Sequence, residues 1–158
     1  MALAGAAARS SLRDMDAQSI PHDPFVEHAE TRLVELSPAH AVVEQPAATF
    51  LDNHVGVRHA SALFTAGHEA ARALVLGRLG DAAPGARAEL VQSDVRYTNV
   101  GFGTVVSDAE PVGEEWETLA ATIAAGQPVE LLARVTGRND AGKTVFTVDD
   151  RWSVAPAA

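Results

Sequence analysis

The chain contains no cysteine, which excludes a disulfide framework, a thiolate metal site and a cysteine nucleophile. It therefore gives no sign of its redox compartment. Basic residues are few: a net charge of −9 argues against a general nucleic-acid binder, because phosphate recognition wants a basic surface. A local basic patch for a phosphorylated ligand is still compatible with that balance. No apolar run approaches the length of a membrane span, so no membrane partner is expected. The first nineteen residues lack the basic start and sustained apolar stretch of a secretory signal. Cytoplasmic residence is the default expectation, and residues 1–22 read as a flexible tail.

What the sequence does have is one soluble-type domain of 158 residues, nearly half of them apolar. Asp23-Pro24 predicts a short helix, with Asp23 as cap and Phe25, Val26 and Ala29 as its buried side. Thr31 to Ser37 and Ala41 to Ala48 read as two strands of a hairpin turned by Pro38-Ala39-His40. A loop over 49–58 leads to a long helix from about His59 to Leu79, ended by Gly80. Val91, Ser93, Val95 and Tyr97 then alternate with polar residues, and Gly101 and Gly103 bracket a turn into a strand from Thr104 to Ala109. Glu114 to Ala125 predicts an amphipathic helix buried through Trp116, Leu119, Ala120 and Ile123. A strand from Val129, the hairpin turn Asn139-Asp140-Ala141-Gly142-Lys143 and a last strand over Thr144 to Val154 complete the pattern. That last strand puts Phe146, Val148, Asp150, Trp152 and Val154 on one face. Strands segregated from one dominant helix predict an α+β fold with an antiparallel sheet.

The long helix is the most informative segment. It is apolar nearly all round, so protein must wrap most of it. Ser61, Thr65, His68 and Arg72 recur at spacings of four, three and four and form one polar stripe, with Glu69 beside it. Such a stripe has to meet a polar partner, a cleft or a ligand.

The run from Asn53 through Gly56, His59, Ala60, Ser61 and Phe64 to Glu69 resembles the signature turn and helix of hotdog-fold thioesterase-like proteins. It is closest to the bacterial group related to the phenylacetic-acid-pathway and 4-hydroxybenzoyl-CoA thioesterases. The matching elements are an Asn, a Gly three residues later, a His before two small residues, and an apolar helix. Pro46, Val95-Arg96-Tyr97 and Asp140-Ala141-Gly142-Lys143 agree on the flanks, so the resemblance spans about residues 24–154. It implies a single hotdog domain over 23–156, with the sheet wrapped around the central helix. It implies a homodimer or homotetramer with sites between subunits. The implied chemistry is hydrolysis of an acyl-CoA or related thioester, with CoA arriving as part of the substrate and no bound cofactor. In that picture the thioester carbonyl sits at the helix N-terminus, where the Ala60 amide stabilises the oxyanion and a carboxylate along the helix serves as nucleophile or base.

The chain departs from this pattern at the acid. The family's acidic position falls on His68, and Glu69 is one residue, about 100°, further round. Three readings stay open. His68 acts as the general base, a role imidazole commonly fills. A local irregularity at Gly67 brings Glu69 into the site. Or catalysis is lost, and the module binds an acyl ligand or scaffolds an assembly. The expected catalytic set is His68, Glu69, Asn53 and His59, and the expected substrate-binding set is Gly56, Ala60, Ser61 and Thr65. Asn53 and His59 also have structural explanations, as organiser of the loop and as helix cap.

Other constellations are weaker. His68-Glu69-Ala70-Ala71-Arg72 has Arg72 where a zinc motif needs its second histidine, and the remaining histidines show no convergent spacing, so no metal is expected. Asp23 and His28 have the spacing of hotdog hydratases, but Pro24 explains Asp23 as a cap. Arg72 and Glu69, three residues apart, suit a salt bridge. Ser61 lies two turns from His68, too far for a nucleophile and its base.

Overall fold

The computed structural model describes residues 20–80 and 83–158. The expected tail thus lies almost wholly outside the described residues. A short helix α1 (Pro24–His28) starts the fold, and Asp23 caps it by accepting from the Phe25 and Val26 amides at 3.0 and 3.4 Å. Val26 and Ala29 are buried as expected, but Phe25 is 67% exposed. Strands β1 (Arg32–Leu36) and β2 (Ala41–Gln45) form the predicted hairpin. A single 3-10 turn (Thr49–Leu51) interrupts the loop before the long helix α2 (Ala60–Leu79). Strands β3 (Arg87–Tyr97) and β4 (Val105–Val112), helix α3 (Glu115–Ala124) and strands β5 (Val129–Arg138) and β6 (Thr144–Ala155) follow. On α3, Trp116, Leu119 and Ile123 are buried and Ala120 is not.

All six strands join one antiparallel sheet in the order β1-β2-β4-β5-β6-β3. The sheet wraps α2, which packs against strands from both edges and the centre. This is the α+β arrangement expected. The near-continuous apolarity of α2 follows from it, as Ala66, Ala70, Ala71, Ala73, Leu74 and Val75 are all fully buried. Small residues let helix and sheet approach closely. A Cβ on Gly67 would lie 2.7 Å from the Phe146 ring, and one on Gly137 would lie 1.9 Å from it. The ring of Phe146 therefore sits between helix and sheet in space that two glycines leave open.

The expected turn between β3 and β4 is not a hairpin. Strand β3 pairs with β6 at the far edge, whereas β4 lies between β2 and β5. The intervening segment passes the start of α2, where the Arg58 amide donates to the Gly101 carbonyl at 2.9 Å. Gly101 and Gly103 serve close approach there. Their added Cβ atoms would meet Arg58 and Leu63 in one case and Asp140 in the other. Strand β3 also carries a bulge between Leu90 and Gln92, which leaves Val91 exposed instead of sharing the half-buried face of Ser93 and Val95. The late turn is as predicted: the Asn139 side chain accepts from the Ala141 and Lys143 amides and joins β5 to β6.

At the β1–β2 turn, His40 lies 2.8 Å from Glu35 and 3.3 Å from Asp108 of β4. Partial burial pulls its pKa down, but the two carboxylates outweigh this and hold it above the ordinary 6.5.

Two outcomes follow. Gly137→Ala forces the Phe146 ring out of its slot, and thermal unfolding should show a loss of about 1–3 kcal/mol, the usual cost of overpacking. For His40 the raised folded pKa means its stabilisation is complete below 6.5 and fades as pH rises through the folded value. Denaturant midpoints of wild type and His40→Gln should therefore differ most at acid pH and converge in alkali. A constant gap would refute the linkage.

Candidate functional site

The start of α2 is held from below by a side chain that sequence reasoning passed over. Arg58 is 3% exposed. Its guanidinium donates to Gln45 Oε1 at 2.6 Å, to the Pro46 carbonyl at 2.9 Å and to the Gly103 carbonyl at 2.8 Å, with Asp52 Oδ1 at 3.5 Å. Gln45, itself fully buried, donates onward to Thr31 Oγ1 and to the Ala62 carbonyl in the first turn of α2. The planar fork of arginine suits acceptors on separate strands and loops. Its burial was the obscured signal, because the acceptors come from segments distant in sequence.

Above this base, Asn53 and Gly56 shape the loop. Asn53 Oδ1 accepts from the Val55 and Val57 amides at 3.0 and 3.4 Å, and Gly56 takes the left-handed conformation at φ +77°. His59 is the helix cap, its Nδ1 accepting from the Ser61 amide at 3.0 Å. The Ala60 N–H, first in the helix, has no hydrogen-bond partner among the described residues. Its carbonyl accepts from Tyr97 Oη at 3.1 Å. Thr65 Oγ1 donates back to the Ser61 carbonyl at 2.9 Å.

A cavity of about 210 Å³ opens beside this helix start. Phe25, Phe50, Leu51 and Ala62 give it apolar walls, and His59, Ser61 and Thr65 line it too. Gly56, Asn53 and Ala60 border its neighbourhood without lining it, and Asp52 lines it beside His59. Asp23 and His28 form no joint site, since Asp23 caps α1 while the His28 ring leans on Phe50, 6.2 Å between centroids.

The polar stripe of α2 splits in two. Glu69 is buried and bound through both oxygens by Arg72, at 2.7 and 2.9 Å. Arg72 also donates to the Pro21 carbonyl. That ion pair borders a second cavity, of about 250 Å³, on the β1 side. α2 runs unbroken through Gly67, which makes room for Phe146, so no irregularity turns Glu69 towards His68. His68, about 100° round the helix from Glu69, leans towards β6. Its ring lies parallel to Trp152, 5.4 Å between centroids and 6° between planes, with Phe64 at 5.8 Å. His68 Nδ1 is 3.1 Å from Asp150 Oδ2. Asp150 is fully buried, and the Ser93 hydroxyl donates to its Oδ1 at 2.5 Å. Neither Asp150 nor Ser93 was singled out from sequence, although an acid in the stripe Phe146, Val148, Trp152 and Val154 was the visible clue. Among the described residues no group of three or more His, Asp or Glu side chains is placed to hold a metal ion, and no helix is long and apolar enough to cross a membrane.

The geometry agrees with solved structures. A protein of unknown function from Pseudomonas aeruginosa, described as a probable thioesterase, shares 21% identity at a TM-score of 0.72, over 83% of this chain and 86% of that one. The PaaI protein of the E. coli phenylacetic acid degradation operon shares 14% at 0.67, over 86% and 87%. A mutant of a Staphylococcus aureus thioesterase shares 12% at 0.68, over 84% and 98%. At these identities the likeness concerns the fold, which is the hotdog fold. No curated protein matches the chain in sequence. The family model for a domain of unknown function, DUF4442, matches residues 17–154. With a sheet wrapped round one central helix and that match over most of its length, the chain belongs to the DUF4442 family and has the hotdog fold of thioesterase-like proteins.

Proposed function

We propose that this protein hydrolyses acyl thioesters, with acyl-CoA as the substrate type, and that its active site is shared between two copies of the chain. The observation that carries the reading is the unpaired Ala60 N–H at the start of a twenty-residue helix, beside an apolar cavity of about 210 Å³. A helix N-terminus with a free donor is suited to an oxyanion. An engineered cavity of about 150 Å³ holds benzene, so this one suits an aromatic or short to medium acyl group. His68 is the general base and neutral polar groups at Ser61 and Thr65 line the acyl path. His59 and Asn53 act through the loop, by holding the helix start, while Glu69 is engaged with Arg72.

One copy is not enough. Ala60 and His68 are eight residues apart, about 12 Å along the helix axis, too far to act on one carbonyl. The face of α2 left open by the sheet carries Ser61, Phe64, His68, Arg72 and Leu76, all exposed or half-buried. A second copy docked there, in a homodimer or a homotetramer built from dimers, brings the His68 of one chain to the helix start of the other. Such an enzyme needs no bound cofactor or metal, and cytoplasmic residence suits its substrate. The confinement of Glu69 by Arg72 favours one other reading, a module that binds acyl ligands without turnover.

A panel of short, medium, long and aromatic acyl-CoAs tests this. Wild type should turn over at least one class. Ala60→Pro removes the free N–H at a position where proline is tolerated, and His59 before it already has ψ 138°. It should lower kcat by about 10²–10³, and His68→Ala should lower it by about 10²–10⁴. A folded oligomer inert towards every thioester would instead support the binding module.

A further inference from the structure

Asp150 is fully buried in an otherwise apolar stripe of β6, where a carboxylate is costly unless its partners compensate for its lost hydration. Ionised carboxylates inside a protein cost free energy unless paired and hydrogen-bonded. Here the neighbours above and below it on the same face of β6 are Val148 and Trp152, both buried. Among the described residues its side-chain partners are two groups: the Ser93 hydroxyl on β3 and Nδ1 of His68 on α2. The imidazole cannot turn away, because Trp152 lies parallel to it and Phe64 covers it from along the helix.

We propose that Asp150 is a positioning residue for the His68 base, replacing from strand β6 the carboxylate that the helix lacks. The proposal rests on the hydrolytic reading of the same site. Asp150 accepts a hydrogen bond from the Nδ1–H of His68, so the lone pair is left on Nε2, for which no partner is found among the described residues. His68 is 26% exposed through its side chain, whereas Asp150 is not exposed at all. The imidazole therefore meets substrate and the carboxylate stays behind it. Ser93 holds the second carboxylate oxygen and fixes which way the first one points.

This arrangement selects a mechanism. Glu69, the carboxylate of α2, is held through both oxygens by Arg72 and is not free to attack the thioester. Instead a water gives its proton to His68 Nε2 while its oxygen bonds to the thioester carbon. The resulting imidazolium is stabilised by Asp150. Collapse of the tetrahedral intermediate breaks the C–S bond, and the Nε2 proton passes to the sulfur. The products are a carboxylic acid and a thiol, and His68 returns to its starting state.

The test uses the full-length protein labelled with ¹⁵N-histidine, with the His68 signals identified by their loss in His68→Ala. In wild type the neutral form of His68 should carry its proton on Nδ1. Asp150→Asn keeps the shape and removes a buried charge, so it should fold. It should redistribute that proton towards Nε2 and reduce kcat by about 10²–10⁴-fold, with KM changed by less than about threefold. Ser93→Ala should do the same in smaller measure. A purely structural role would leave kcat of the folded Asp150→Asn protein unchanged even where the tautomer moves. The proposal is overturned if wild-type His68 carries its proton on Nε2, or if active wild type and Asp150→Asn turn over equally. Wild type inert on every thioester, with the proton on Nδ1, would remove the hydrolytic reading and this role with it.

Discussion

The guanidinium of Arg58, buried among carbonyl and amide oxygens, is the interaction on which the rest of the site depends. It ties the end of β2, the loop before α2 and the segment before β4 to one planar group. Through Gln45 the same network reaches the Ala62 carbonyl in the first turn of the helix. A free backbone donor is useful in catalysis only if it is held still, since preorganised dipoles need no rearrangement when charge develops. Arg58 supplies that fixity from beneath, and the Asn53 loop and His59 cap supply it from above. The cost of burying the charge is offset by three close oxygen acceptors and by the Asp52 carboxylate at 3.5 Å.

The second constraint is steric. Phe146 fills the gap between Gly67 of α2 and Gly137 of β5, so helix and sheet meet at a fixed distance along that line. That contact sets the depth at which His68, one residue after Gly67, meets β6. Asp150 and Trp152 lie on the face of β6 that receives it. The placement of the imidazole is therefore a consequence of core packing, not of a flexible loop.

Much of this was legible in the sequence. The β1–β2 hairpin, the Asp23 cap, the limits of α2 and the turn at Asn139 all rest on local signals that the structure obeys. The Glu69–Arg72 pair followed from helix spacing alone. What could not be read was long-range. Gly101 and Gly103 look like a hairpin turn, yet β3 pairs with β6, which is encoded by partners some sixty residues apart rather than by the turn. The bulge at Leu90/Gln92 likewise shifts the face of Val91 without a local mark. Arg58 reads as a polar loop residue until its three distant acceptors are known. Asp150 was visible as the one acid in an apolar stripe, but its partner His68 lies eighty-two positions away. Departure from the family at His68 pointed to a missing acid; the fold shows a carboxylate reaching the same imidazole from the sheet.

The central claim is that two chains build each active site, one contributing the Ala60 N–H and the other His68. It is tested most directly by co-expressing Ala60→Pro and His68→Ala chains with different tags and isolating the mixed oligomers. Each mixed dimer holds one intact site and one with both defects. Unfractionated random pairing should thus restore about one quarter of wild-type turnover, and purified mixed dimers about half. Mixed dimers as inactive as either parent would contradict the account.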